Sequence, residues 1–143
     1  MRLAKKAAED GSWLPMQLQN KPRIGFDTNM LLAIGQHGID VFSEVEKMFG
    51  GKAELAVPKQ VLEELRSMEG KKTEKPARIA ADEIKRHKVK TMDVNAANAD
   101  EALAKMAKEG YAIASNDAAL RKRIKGFGGK VIYLRQSRFL EIE

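Results

Sequence analysis

Two short polar segments, residues 27–29 and 115–117, each follow an apolar run that is typical of a β-strand and precede a run that is typical of an α-helix. The first reads Asp-Thr-Asn and the second Ser-Asn-Asp, so each combines a carboxylate, a hydroxyl and a carboxamide. In open parallel sheets, ligands bind at the carboxyl ends of the strands, where both segments would lie. The same residue types are also favoured helix N-caps, so either segment alone is explained as a cap. The repetition of this corner in one chain favours a site containing Asp27 and Asp117.

Glu64 is a third acid that could join this site. It lies in the segment 58–65, where an apolar helical stripe includes Val61. At about 100° per residue, Glu64 falls roughly 60° from Val61 around the helix, whereas Glu63 points almost directly away. Glu64 is therefore the candidate for a site, and Glu63 is predicted to lie on the surface.

Asp100 is the fourth candidate, and the same angular test identifies it. It falls about 60° from Leu103 on the predicted helix that begins at residue 99, whereas Glu101 lies roughly opposite. An acid in the first turn of a helix is also stabilised by the helix dipole. Both interpretations of Asp100, as a site residue and as a helix-stabilising charge, stay open.

The elements that must position these acids alternate between strand and helix along the chain. Strands are predicted around residues 23–26, 53–57, 91–94, 111–114 and 130–134, with an edge strand at 138–142. This alternation predicts an α/β fold, a three-layer sandwich with a central, mostly parallel sheet of about five strands. Residues 1–22 are predicted to form an N-terminal arm, and residues 23–143 a single domain. Because parallel strands end at one edge, the four acids would converge there.

Four converging carboxylates would repel one another unless cations neutralise them. Ligands that offer only oxygen indicate Mg²⁺ or Mn²⁺. Such ions lower the pKa of a bound water and stabilise the charge that develops when a phosphodiester is hydrolysed. Neighbouring polar side chains are predicted to orient the carboxylates or their waters. These neighbours are Thr28, Asn29, Ser115 and Asn116.

Composition excludes several other chemistries. The 143-residue chain has no cysteine, which excludes disulfides, thiolate nucleophiles and cysteine–zinc sites, and its two histidines, His37 and His87, are predicted at the surface. With 43% hydrophobic and 32% charged residues, the balance is typical of a globular domain. No apolar run is long enough to span a bilayer. We expect no membrane association and a cytoplasmic location.

The net charge of +6 favours polyanionic partners, although weakly by itself. Basic residues are grouped in three places, at 71–78, 85–90 and 121–125. Each group alone is explained as a solvated helix face, but together they could bind phosphates. The residues predicted to contact RNA are Lys71, Lys72, Lys75, Arg121, Lys122 and Arg123.

In combination, these motifs resemble the PIN-domain ribonuclease family over residues 22 to 135. The matching motifs are the segments 27–29, 58–65, 99–103 and 115–120. The resemblance implies an acidic pocket that binds one or two divalent ions, cleavage of single-stranded RNA and homodimerisation. Residues 121–124, 131–136 and 139–142 are more similar to the PIN nucleases that process ribosomal RNA precursors than to VapC toxins. Precursor ribosomal RNA is therefore the expected substrate.

Two other functions remain open. The first is a VapC-type toxin ribonuclease, for which an antitoxin would be a partner. The second is a module that holds RNA on its basic face without cutting it. The presence of all four acids argues against the second.

Overall fold

The computed structural model describes residues 21–136 and 138–143. The predicted arm therefore lies outside the described residues except for its last two, Lys21 and Pro22. The backbone N–H of Glu54 donates to the carbonyl oxygen of Pro22 at 2.7 Å, immediately before the first strand. The division of the chain at residue 22 stays a prediction.

Six strands form one sheet in the order β3-β2-β1-β4-β5-β6. All neighbouring strands are parallel except β5 and β6, which are antiparallel. The strands are β1 Arg23–Phe26, β2 Glu54–Pro58, β3 Lys90–Met92, β4 Ala112–Ala114, β5 Val131–Arg135 and β6 Phe139–Ile142.

Six helices connect the strands within the described residues. They are α1 Thr28–His37, α2 Val41–Met48, α3 Lys59–Arg66, α4 Glu74–Arg86, α5 Ala99–Lys108 and α6 Ala118–Gly126. Because parallel crossovers are right-handed, the connections from β1 to β2 and from β2 to β3 lie on one face of the sheet, and those from β3 to β4 and from β4 to β5 on the other. Helix α1 packs against α4, and α5 packs against α6.

The core lies on both faces of the central strands, as burial of a parallel sheet requires. Phe26 of β1 packs edge-on against Phe42 of α2, with ring centroids 4.8 Å apart. On the opposite face, a Cβ at Gly25 would lie 2.9 Å from Met106 Cε, so the glycine lets α5 pack close to β1. These contacts fix α2 and α5 against β1, the strand that ends next to Asp27.

The predicted α/β sandwich with a mostly parallel sheet is confirmed. The sheet has six strands, the expected five and the edge strand predicted at 138–142, which pairs along β5 through four residue pairs. Among residues 21–136 and 138–143, no helix combines the length and apolarity needed to cross a membrane.

Gly129, just before β5, lies against the buried side chain of Ile124 in α6. A Cβ there would lie 2.5 Å from Ile124 Cγ2 and 3.1 Å from its carbonyl oxygen. The β-branched Ile124 cannot rotate away easily in a helix. We therefore expect Gly129→Ala to lower the free energy of unfolding by about 1–3 kcal/mol in urea titrations.

Gly126 provides the matched control, since a Cβ there would meet no atom within 4 Å. Gly126→Ala should leave the free energy of unfolding unchanged or raise it slightly, because alanine restricts the unfolded chain. Equal stabilities of the two variants would contradict the packing argument.

Candidate active site

The site lies where the strand order reverses direction. From β1 the chain proceeds through β2 to β3, and then crosses back to β4 on the other side of β1. The crevice outside the carboxyl ends of β1 and β4 is the position where open α/β sheets bind ligands. Asp27 directly follows β1, and the segment 115–117 directly follows β4. The two polar corners of the sequence therefore face one crevice.

Asp27 is a buried carboxylate, only 5% exposed. Its Oδ1 accepts a hydrogen bond from the backbone N–H of Thr28 at 2.7 Å, which caps α1, and its Oδ2 accepts one from Ser115 Oγ at 2.8 Å. Burial raises the pKa of Asp27 above its ordinary value; the bonds from Ser115 and Thr28 lower it in part, and the charges of Asp100 and Glu64 raise it. The ionised carboxylate is thus fixed in orientation but poorly compensated in charge.

Ser115 joins the two polar corners through a single hydroxyl. Besides donating to Asp27, its Oγ accepts a hydrogen bond from the backbone N–H of Asp117 at 3.0 Å. Oδ1 of Asp117 accepts from the backbone N–H groups of Ala119 and Leu120 at 2.9 and 3.1 Å, so Asp117 also caps α6. Capping uses one carboxylate oxygen of Asp117; the other makes no hydrogen bond within the described chain.

Glu64 reaches the same crevice from α3. Thr28 Oγ1 donates a hydrogen bond to Glu64 Oε1, which ties α3 to the start of α1. Glu63 and Glu64 are both exposed, but among the described residues only Glu64 bonds to a side chain of segment 27–29. This difference in contact agrees with the positions predicted for the two acids around the helix, Glu64 beside the apolar stripe and Glu63 opposite it.

Asp100 lies exposed in the first turn of α5. Its negative charge is close enough to raise the pKa of Asp27. The adjacent Glu101 points to a different partner, since its two carboxylate oxygens accept from Arg123 at 2.9 and 3.1 Å. Of these two neighbouring acids, Asp100 is the one that acts electrostatically on the crevice.

The four residues predicted to orient the carboxylates divide into two pairs. Thr28 and Ser115 do contact carboxylates, as described above. Asn116 instead bonds to the backbone of β5, accepting from Leu134 N at 2.7 Å and donating to Leu134 O at 3.4 Å. Asn29 is exposed and makes no side-chain hydrogen bond within the described chain. Asn116 therefore fixes the segment to the sheet, which indirectly fixes Ser115.

The donor set of the crevice suits a hard divalent cation. Its candidate ligands, Asp27, Glu64, Asp100 and Asp117, offer only carboxylate oxygens, and none takes part in an ion pair within the described residues. No three of their ligand atoms come within 4.8 Å of one another, as expected for like charges that repel across an open crevice. The all-oxygen chemistry and the uncompensated buried charge of Asp27 fit Mg²⁺ or Mn²⁺.

A second acidic cluster, outside the crevice, is neutralised by an arginine. Asp40, Glu83 and His87 form the one group in the described ranges whose ligand atoms lie within 4.8 Å of one another. Arg86 Nη2 lies 3.3 Å from Asp40 Oδ2 and 2.8 Å from Glu83 Oε2, so a guanidinium already neutralises the carboxylates. The cluster connects α2 to α4.

The prediction that His87 is a solvated surface residue was wrong, because its side chain is only 13% exposed and packs against Phe42.

The basic residues predicted to contact RNA differ in their availability. Lys71, Lys72, Lys75 and Lys122 are exposed and make no ion pair within the described chain. Arg121 pairs with Glu143 at 2.8 Å and stacks over the ring of Tyr133. Arg123 pairs with Glu101. The two arginines are engaged in the fold, and sequence reasoning missed this because their partners lie 22 positions away in each case.

Comparisons with known proteins agree with this fold. The family model described as PIN like domain matches residues 24–137. Ribonuclease VapC4 of Methanocaldococcus jannaschii is 33% identical over 125 residues, covering 81% of this chain and 92% of its own. The PIN domain endonuclease Utp24 superimposes with a TM-score of 0.72 at 21% identity, over 85% of this chain and 90% of its own.

A domain of a functionally unknown protein from Methanocaldococcus jannaschii DSM 2661 superimposes with a TM-score of 0.55 at 16% identity, over 80% of this chain and 91% of its own. At these identities the two solved structures bear on the fold alone. The family match covers both polar corners, Glu64 and Asp100. This chain belongs to the PIN-like domain family.

Proposed function

We propose that this chain is a divalent-metal-dependent endoribonuclease that hydrolyses phosphodiester bonds in single-stranded RNA. The observation that carries the proposal is the buried Asp27 at the switch point of the sheet. Glu64 and Asp100 lie close enough to raise its pKa, and no cationic side chain of the described residues pairs with it. Such a carboxylate does not stabilise the fold, because burial of an unpaired charge is unfavourable. A cation bound beside Asp27 would compensate this charge.

Asp27, Glu64, Asp100 and Asp117 would hold the ion, which supplies Lewis acidity and an activated water. Each of the chain's own groups then has a separate task. Asp27 presents a fixed carboxylate, because Ser115 and the Thr28 N–H each occupy one of its oxygens. The Thr28 hydroxyl orients Glu64.

The substrate reaches the crevice as a polyanion. Lys71, Lys72 and Lys75 lie between α3 and the first turn of α4, and Lys122 lies on α6. These exposed lysines supply sequence-independent attraction for phosphates. As partners we propose single-stranded RNA and, as the family resemblance implies, a second copy of the chain.

For the biological role we propose maturation of ribosomal RNA precursors, on the sequence resemblance of the C-terminal segments. The relative named Ribonuclease VapC4 favours a second candidate, a toxin ribonuclease paired with an antitoxin. Expression in a bacterial host separates the two. Strong growth arrest that Asp27→Asn relieves supports the toxin, and normal growth with altered precursor RNA processing supports maturation.

The proposed activity is tested by titrating Mn²⁺ and Mg²⁺ into the protein with a labelled single-stranded RNA, for the wild type and Asp117→Asn. We expect the wild type to cut the RNA only when metal is present. The variant should bind the RNA but cut it more slowly than the wild type does. If both bind equally and neither cuts with either metal, the chain is a binding module and the enzymatic proposal fails.

Removal of the Ser115 hydroxyl should weaken the reaction without removing any acid. In Ser115→Ala, Asp27 Oδ2 loses its donor and the Asp117 N–H loses its acceptor, so both carboxylates are less well oriented. We expect a decrease in kcat/KM of about 10- to 100-fold, the usual effect of losing a group that orients metal ligands.

Ser43→Ala is the control for that measurement. It also removes a hydroxyl–carboxylate hydrogen bond of 2.8 Å, from Ser43 Oγ to Asp40 Oδ2, but at the start of α2 rather than in the crevice. Its kcat/KM should stay within about twofold of the wild type. A similar loss in both variants would mean that Ser115 acts through general stability.

A further inference from the structure

Gln60 is a buried polar residue with an unusual hydrogen-bonding pattern. It is the second residue of α3 and only 5% exposed. Its Nε2 donates to two backbone carbonyls of the loop between β3 and α5, those of Val94 at 2.7 Å and Ala96 at 3.0 Å. Its Oε1 is buried without a partner in the described chain. A buried acceptor without a partner is unfavourable, so the double donation must be what the residue contributes.

The contact joins two segments that each precede a candidate metal ligand, Glu64 on α3 and Asp100 on α5. On α3, Gln60 precedes Glu64 by four residues, so the two side chains lie on the same side of the helix. The loop continues to Asn98, whose Oδ1 accepts from Glu101 N and caps α5 two residues before Asp100. Gln60 therefore fastens the helix that carries Glu64 to the loop that sets the start of the helix that carries Asp100.

Within the described residues, two other polar side-chain contacts hold the loop, both at the surface. Lys59 Nζ pairs with Asp93 Oδ1 at 2.8 Å, with side chains 47% and 87% exposed. Lys105 Nζ donates to the carbonyl oxygen of Asn95. Exposed ion pairs contribute little, typically about 0–1 kcal/mol. The contact of Gln60 is the buried one, and its loss would leave two loop carbonyls without their donor.

We propose that Gln60 is a positioning residue, which fixes Glu64 and Asp100 at the separation needed to share one divalent ion. The inference rests on the proposed function, since it assigns to Gln60 a task in metal binding. The sequence signal for it is slight: a glutamine one helical turn before a site acid.

The test is a Mn²⁺ titration of the purified chain, by calorimetry or by the electron paramagnetic resonance signal of free Mn²⁺, without RNA. Gln60→Met keeps the volume of the side chain and removes both donors. We expect its Kd for Mn²⁺ to rise by about 10-fold or more. Lys59→Ala, which frees the same loop at its exposed contact, should stay within about twofold of the wild type.

A double-mutant cycle separates positioning from general destabilisation. If Gln60 acts through Asp100, Gln60→Met should not weaken Mn²⁺ binding further in an Asp100→Asn background. Gly129→Ala, destabilised far from the crevice, should retain the wild-type Kd.

Each result decides a different question. Binding by the wild type with an unchanged Kd in Gln60→Met overturns the inference and leaves the proposed function standing. Additive losses in the double variant also overturn it. No Mn²⁺ binding by the wild type overturns the proposed function, and the role of Gln60 with it.

Discussion

Asp27→Asn is expected to reduce metal-dependent cleavage of single-stranded RNA by at least on the order of 10³-fold, equivalent to roughly 4 kcal/mol in the activation free energy. The carboxamide keeps the size of the side chain but removes the charge of the most buried of the four candidate acids. RNA binding should persist, because the lysines that attract phosphate are unchanged. Cleavage is measured with a labelled strand at saturating Mn²⁺.

The same substitution should stabilise the metal-free protein. Burial raises the pKa of Asp27 above its value in the unfolded chain, and the charges of Asp100 and Glu64 act in the same direction. The folded state therefore binds a proton more tightly than the unfolded state does. The wild-type free energy of unfolding should fall as pH rises between the ordinary and the raised pKa, and then level off. The amide that Asp27→Asn introduces does not titrate, so the variant does not lose free energy of unfolding in this way.

At neutral pH without metal, we expect Asp27→Asn to be more stable than the wild type, and the difference to shrink on acidification. Part of the gain is offset because an amide has one acceptor oxygen for the two donors, Ser115 and the Thr28 N–H. Mn²⁺ should stabilise the wild type and have little effect on the variant, since only an ion that binds the folded state raises its stability. Thermal unfolding with and without Mn²⁺ measures both effects. A less stable, fully active variant would contradict the assignment of Asp27.

The local sequence was sufficient to predict the polar corners of the sheet. In segments 27–29 and 115–117 an apolar strand pattern stops at polar residues and a helix begins, so the order along the chain alone places them at strand ends. Convergence of the two corners depends on β1 and β4 being neighbours. That pairing follows from parallel topology, which alternating strands and helices predict well.

Contacts between residues distant in sequence were not predictable in the same way. Arg123 looked like part of a basic helix face, yet Glu101 of α5 neutralises it. Asn116 looked like a site residue, yet it pairs with the backbone of β5. Each outcome depends on which group of another element lies within about 3 Å, and no local periodicity encodes that distance. The interpretation of single polar or charged residues is therefore less secure than that of whole elements.

Glu63 and Glu64 offer the sharpest comparison in the chain, because the two acids are adjacent, exposed and chemically identical. Only Glu64 accepts a hydrogen bond from Thr28, and only its charge acts on the pKa of Asp27. We expect Glu64→Gln to lower kcat/KM for RNA cleavage by about 100-fold or more, since a ligand charge is lost from the metal site. Glu63→Gln should stay within about twofold of the wild type.

General effects of the substitution cancel in this pair. Both variants change the net charge by the same amount, both lie in α3, and both leave the exposed lysines in place, so altered attraction for RNA affects them alike. The Kd for Mn²⁺ should rise for Glu64→Gln and not for Glu63→Gln. If the two variants lose activity equally, the loss is caused by the changed net charge of α3, and Glu64 is not a metal ligand. If Glu63→Gln is the more severe, the direction in which α3 presents its acids has been assigned incorrectly, and the crevice has a different third carboxylate.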